Sequence, residues 1–350
     1  MKAKRYLFYI SQNYSFAILR PLQKVILERG DEVAWFVEGN SVNCQYFDKS
    51  EIVLSNINDV FEYQAIATLY PANIAPTFLP GINVAIFHGF DAGKVDKKGR
   101  NDHYKVRNCF DLYCTQGPES TNKFKALAKS HGTFSVKQTG WCALDPLYSN
   151  VEDKLSNNTR KTILFCSTFS KSLSCAPILF DTIKKLCEKQ KWNWLIQFHP
   201  KMEKTIIEKY KSLQNDYLTF VETDNVVPLL KKSDVMVCDT SSVLIMFLLQ
   251  NKPVVTFNNI SPKDYMLNIS RGDMLEDAIE KALLKESELM KNIERFITDT
   301  HPYSDGNSSE RVLDAIDEFL QNDIKNLKAK PVDLIRNFKM RKKLNYWKFW

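Results

Sequence analysis

The chain has 350 residues, more than one ordinary core accommodates and suited to two domains. Hydrophobic residues make up 44% and charged residues 25%, an ordinary globular balance, and no apolar run approaches the ~20 residues that a membrane-spanning helix requires. The formal net charge of +7 is concentrated: residues 325–350 carry nine Lys or Arg against the single acid Asp333, which leaves the rest near −1 and excludes a basic nucleic-acid-binding body.

The chain opens with basic residues and a short apolar run, RYLFYI at 5–10. That run is too short for a signal peptide and lacks a small-residue cleavage site, so it reads as a first β-strand. Strand-like runs recur at 32–37, 52–54, 65–70, 82–88, 111–115 and 135–140, with amphipathic helical stretches at 19–30 and 118–130. Residues 149–160 are polar and without periodicity. The rhythm then restarts, with strands at 161–169, 193–200, 218–222, 235–239 and 253–257 and helices at 177–190, 203–213, 226–233 and 241–251. Short strands alternating with helices predict parallel sheets covered on both faces. The expected organisation is two Rossmann-like α/β domains facing a central cleft: 1–150 on the acceptor side, a linker at 151–160, and a nucleotide-donor domain at 161–324. A basic, aromatic tail at 325–350 follows. The eight cysteines form no CxxC pair and no metal-binding spacing with histidine, which implies a reducing, cytoplasmic setting and no structural metal.

In open α/β sheets ligands bind beyond the carboxyl ends of the strands. Those ends carry FHGFDAGK at 87–94, TGWCALD at 139–145, STFSKS at 167–172, His199-Pro200, and Asp239-Thr240-Ser241-Ser242. A strand that runs into Asp-Thr-Ser-Ser and then straight into an apolar helix offers either a plain helix cap or free N–H groups for a phosphate. Gly140 is counted with this donor-phosphate group. His88 and His199 end buried runs and suit a general base or a cationic partner for phosphate. His103, His131 and His301 sit in polar contexts and read as ordinary loop residues. DxD, GxGxxG and GxxxxGK[ST] are all missing, so neither a DxD-type metal site nor a dinucleotide or P-loop site has its fingerprint.

Taken together, FHG, TGWxxxD, FHP, SDVMVCDTSSV…NKPVV, RGD and DGNSSERV occur in an order that resembles the CDP-glycerol glycerophosphotransferase family, over roughly residues 80–315. That family comprises teichoic-acid primases and polymerases with capsule and lipopolysaccharide relatives. The resemblance implies a GT-B fold. It also implies transfer of glycerol phosphate, or a related polyol phosphate, from a CDP-activated donor to a hydroxyl of a cell-surface glycan or glycolipid, with no catalytic metal and no cofactor. His88 would then be the base and His199 would stabilise the donor phosphates. Ser241 and Ser242 would hold the pyrophosphate, with Arg271 as a further phosphate partner. Asp145 and Asp305-Gly306 match motif positions without an assigned role.

Three positions depart from the family pattern. Phe90-Asp91-Ala92-Gly93 replaces Thr-Pro-Leu-Lys, Gln197 replaces an arginine, and Thr240 replaces a tyrosine. They keep open an inverting glycosyltransferase of the same fold that uses a CMP- or UDP-sugar, for example a Kdo-type enzyme, with Asp91 as base. A nucleotide-sugar 2-epimerase would need neither an acceptor nor the tail, and a non-enzymatic nucleotide-binding module would not require site-like residues on both lobes. In that tail, cations interleave with aromatic and aliphatic residues, and Leu334, Phe338 and Arg341 fall at helical spacing. This pattern predicts a segment lying on an anionic membrane surface, which would place the protein peripherally at the inner face of the cell membrane.

Overall fold

A computed structural model describes residues 3–91, 99, 101–149, 160–199, 201–223 and 225–347. The expected linker at 151–160 lies outside the described residues apart from Arg160, as do Ala92, Gly93 and Pro200.

The first unit comprises Met1–Tyr148 together with Thr300–Trp350. Its seven strands are β1 Arg5–Ile10, β2 Glu32–Val37, β3 Ile52–Leu54, β4 Ala67–Tyr70, β5 Ile82–Ala85, β6 Leu112–Thr115 and β7 Ser135–Gln138. All pair in parallel, in the order β3-β2-β1-β4-β5-β6-β7. Helices α1 Tyr14–Glu28, α2 Ile57–Tyr63, α3 Pro118–His131 and α4 Asp145–Tyr148 connect or follow them. Both faces of the sheet are covered, so the central strands are buried at every position and mostly apolar rather than alternating, with Thr68, Asn83 and Thr115 as buried polar exceptions. Residues 67–70 and 82–85 are buried throughout for this reason.

The second unit comprises Ser149–Asp299. Its strands are β8 Thr162–Ser167, β9 Asn193–Phe198, β10 Leu218–Phe220, β11 Val235–Cys238, β12 Val254–Phe257 and β13 Leu267–Ile269. They form a six-stranded parallel sheet in the order β10-β9-β8-β11-β12-β13. Helices α5 Ala176–Glu188, α6 Lys204–Lys211, α7 Val227–Lys232, α8 Val243–Leu248, α9 Leu275–Leu284 and α10 Ser287–Thr300 accompany it. The core packs Phe165, Trp194, Ile196 and Val237 against Leu179, Ile183 and Ile279. Lys252, in the Asn-Lys-Pro run, donates to the carbonyls of Leu230 (2.8 Å) and Lys231 (2.7 Å) at the end of α7, and burial lowers its pKa to about 8.

The chain then returns to the first unit, so residues 300–324 belong there and not with the expected second domain. Helix α11 Ser308–Glu318 packs on α1, with Arg29 bonded to Glu310 and Asp314, and Lys4 bonded to Asp317 at 2.7 Å. Two glycines admit the returning strand of chain. A Cβ on Gly117 would stand 2.2 Å from the Thr300 carbonyl oxygen. Gly140 has φ +82° and its Cβ would lie 2.5 Å from Ser308 Oγ and 3.0 Å from His301 Nε2. Gly140 therefore serves this packing. A final helix, α12 Leu334–Lys343, docks on the same unit.

Candidate active site

Each sheet reverses its strand order at one point, and parallel α/β sheets bind ligands beyond the strand ends there. In the first unit that point lies between β1 and β4. Pro71 directly follows β4, and its carbonyl oxygen is 3.2 Å from His88 Nδ1. A carbonyl only accepts, so Nδ1 carries a proton, and in the neutral ring Nε2 is the nitrogen with the lone pair. His88 is exposed, and its ring packs beside Tyr14 at the start of α1, with centroids 5.6 Å apart. The first unit thus presents a solvent-accessible imidazole whose Nε2 makes no hydrogen bond among the described residues.

The turn carrying His88 is held under tension. Phe87 has φ +59°, an uncommon conformation for a bulky residue. Its carbonyl accepts from Trp141 Nε1 at 3.2 Å, and the next-but-one carbonyl, of Gly89, accepts from Gln116 Nε2 at 2.7 Å. Phe90 meets Trp141 edge-on at 5.4 Å. Asp91 accepts from Asn101 Nδ2 at 2.8 Å. His103, read from sequence as an ordinary loop residue, stacks on Phe87 at 5.2 Å. Burial lowers its pKa, with Asp91 opposing and His88 adding to the shift. Trp141, Gln116 and His103 give no sequence signal of this role, because each acts through a turn remote in the chain.

Behind this turn lies His301, 1% exposed. Its Nε2 accepts from Trp141 N at 3.0 Å, and burial lowers its pKa to about 4. Asp145 accepts from Ser308 N and Ser309 N, each at 2.8 Å, and so caps α11. Asp305 accepts from Asn307 N at 3.1 Å and pairs with Arg311. The motif residues that lacked a role are thus devices that fasten the returning chain.

In the second unit the reversal lies between β8 and β11. Asp239 ends β11, but its carboxylate turns inward and is fully buried. It accepts from Ser167 Oγ (2.6 Å), Thr168 N (3.0 Å) and Cys175 N (3.0 Å), bracing the turn after β8. That geometry differs from the expected phosphate contact. Helix α8 is also shorter than expected, spanning only Val243–Leu248. Thr240 Oγ1 accepts from Ile260 N at 3.1 Å, while Ser241 is half-buried and Ser242 exposed. His199 follows β9, beside the same reversal point. It is exposed, packs on Phe169 at 4.6 Å, and accepts from Lys201 N through Nδ1 at 3.0 Å. Burial, then the Lys201 charge, lowers its pKa. Gln197 donates to the carbonyls of Phe198 (2.9 Å) and Thr223 (3.4 Å). Arg271 follows the edge strand β13, exposed and paired with Asp273 at 3.1 Å, away from the reversal point.

Among the described residues no group of three or more His, Cys, Asp or Glu side chains could hold a metal ion, and no helix is long and apolar enough to cross a membrane.

Comparison with known proteins bears on the family and the fold. The chain is 27% identical over 235 residues to a teichoic acid glycerol-phosphate primase of Bacillus subtilis (strain 168), a match covering 62% of this chain and 60% of that protein's length. Among solved structures, a putative UDP-N-acetylglucosamine 2-epimerase from Listeria monocytogenes superposes with TM-score 0.66 and 12% identity, covering 94% of this chain and all of that one. The wall teichoic acid polymerase TagF, in an H444N form soaked with CDPG, gives TM-score 0.64 and 14% identity, covering 90% of this chain and 88% of that one. These likenesses show the fold, two α/β units of the GT-B type. The profile of the family described as CDP-glycerol:poly(glycerophosphate) glycerophosphotransferase matches residues 89–318, about two-thirds of the chain, and the chain belongs to that family.

Proposed function

We propose that the protein transfers glycerol phosphate, or a related polyol phosphate, from a CDP-activated donor to a hydroxyl of a cell-surface glycan or glycolipid, without a catalytic metal. We further propose that it works at the inner face of the cell membrane, held there through residues 325–350. The observation that carries the chemistry is His88, whose Nδ1–H is spent on the Pro71 carbonyl so that Nε2 is the basic nitrogen. In the reaction the acceptor oxygen attacks the glycerol-bearing phosphorus. A new O–P bond forms, the P–O bond to CMP breaks, and His88 Nε2 takes the acceptor proton. Positioning and charge stabilisation carry most of such a transfer. His199 and the Thr240-Ser241-Ser242 turn of the second unit are assigned to the donor phosphates. A lowered pKa leaves His199 mostly neutral near pH 7, so its part is hydrogen bonding through Nε2–H rather than fixed charge.

Gln197 supports a second reading, transfer of a sugar from a CMP- or UDP-donor, because its amide is bonded to main chain where the family pattern has a cation. The purified protein, given CDP-glycerol, CDP-ribitol and CMP- or UDP-sugars, is expected to turn over the CDP-polyols. His88→Ala should lower turnover at least ~10²-fold, the lower range for loss of general-base assistance, and His199→Ala also by ~10²-fold, the lower range for loss of one hydrogen-bond donor to developing charge. Near-wild-type turnover in both variants would overturn the assignment.

A further inference from the structure

The final helix is amphipathic in the inverted sense. Its protein-facing side is polar: Arg336 donates to the Arg107 carbonyl, and Asn337 Oδ1 accepts from Thr77 Oγ1 at 3.0 Å. Arg341 lies over the Phe78 ring at 4.3 Å. Its solvent side is apolar, with Leu334 76% exposed, Ile335 70% and Phe338 58%. Val332 precedes this face, and Trp347 extends it by packing on Phe338 at 5.5 Å. A helix that folds onto a protein core in water buries its apolar stripe. This one turns two arginines and an asparagine, half-buried together with Met340, toward the protein and leaves leucine, isoleucine and phenylalanine outside, together with the exposed Lys339 and Lys342.

The segment is also clamped rather than tethered. Lys328 N donates to the Gly132 carbonyl at 2.8 Å, Lys330 pairs with Asp111, and Lys343 pairs with the buried Glu38 at the end of β2. Tyr346 stacks on Phe61 at 4.6 Å and on Phe78 at 5.7 Å. Because Glu38 directly follows a strand, the clamp ties the helix to the carboxyl edge of the sheet that carries His88.

We propose that Leu334, Ile335 and Phe338, with Trp347, form a docking face that enters the interfacial layer of an anionic bilayer, Lys339 and Lys342 meeting its lipid phosphates. The first unit is then held in one orientation on the membrane. This rests on the membrane-surface reading above and specifies which face makes the contact. A second copy of the chain is a poorer occupant, since a two-fold pairing of this face would bring the Lys339 and Lys342 charges of both copies together, whereas anionic lipid neutralises them.

Co-sedimentation of the full chain with vesicles of phosphatidylglycerol and phosphatidylcholine, and with phosphatidylcholine alone, tests this. Wild type is expected to bind the anionic vesicles, and more weakly at high salt. The triple variant Leu334→Ser, Ile335→Ser, Phe338→Ser should lose binding by about tenfold or more, with its thermal midpoint unchanged. Lys339→Gln with Lys342→Gln should lose about tenfold on anionic vesicles and little on neutral ones. Wild-type vesicle binding that survives the triple substitution would overturn this face while leaving the membrane reading intact. No binding by wild type would remove both. A dimer that the triple variant dissociates would assign the face to a second copy.

Discussion

His301 makes the stability of the first unit depend on pH in a calculable way. Its pKa falls from 6.5 to about 4 because the ring is buried and Nε2 must stay unprotonated to accept from Trp141 N. The unfolded chain therefore binds more protons than the folded one across that interval, and stability rises with pH there. The contribution is fully present above the unfolded value of 6.5 and is lost as pH falls toward about 4. At ~1.36 kcal/mol per pKa unit the whole effect is about 3 kcal/mol, of which about 2 kcal/mol is lost by about pH 5. Carboxylates titrate in the same range, so the measurement is a difference. Urea unfolding of wild type and His301→Gln is compared from about pH 7 to about pH 5. Glutamine keeps an acceptor for Trp141 N and does not titrate. The variant's stability should fall less over that range, by about 2 kcal/mol. Parallel curves would refute the account and mean that the ring is protonated or exposed without cost.

Two further substitutions separate fold from chemistry. Trp141→Phe removes the donor to the Phe87 carbonyl. A non-glycine residue held at positive φ costs ~1–3 kcal/mol, and one hydrogen bond offsets about 1 kcal/mol of that, so the turn should relax. The turnover number should drop about tenfold with the donor KM unchanged, as for a positioning residue, and an unchanged turnover number would remove Trp141 from that role. Asp239→Ala strands the Ser167, Thr168 and Cys175 donors, so the urea midpoint should drop by the equivalent of about 3 kcal/mol or more. A stable Asp239→Ala protein with weakened donor binding alone would instead return the carboxylate to the donor site.

The parallel sheets were legible because doubly covered strands are largely apolar on both faces, and the breaks between runs such as 65–70 and 82–88 carry turn residues. The destination of α11 was not legible. Periodicity identifies a helix and its buried face but not the sheet that receives it, and the contacts that decide this, Asp145 with Ser308 N and Ser309 N, join residues far apart in sequence. The tail shows the same limit. Its cations and aromatics are plain in composition, but a free basic arm and a clamped helix share that composition. Contacts such as the pairing of Lys343 with Glu38 and of Lys330 with Asp111, and the outward register of Leu334, Ile335 and Phe338, distinguish them.

Asp239 shows why polar residues at strand ends are ambiguous. A carboxylate at such a turn can cap the helix that follows or reach back across the sheet to the neighbouring strand's turn. Here the Ser167 hydroxyl at the end of β8 and the Thr168 and Cys175 N–H groups beyond it converge on the carboxylate, so bracing that turn satisfies more buried groups than capping the short α8 would. A buried carboxylate in that position repels a phosphate rather than binding it. It can still serve the donor indirectly, by fixing where the backbone of 239–242 turns outward. Among the described residues the groups left at the reversal point of the second sheet for a phosphate are mostly neutral: main-chain N–H groups, the Ser241 and Ser242 hydroxyls and the His199 imidazole, with Lys201 as the nearby cation. Arg271 lies at the far edge, and Gln197 stands where a cation is usual. Donor binding on this proposal depends on hydrogen bonds more than on ion pairs, so it should depend only weakly on salt, in contrast to the attachment through Lys339 and Lys342.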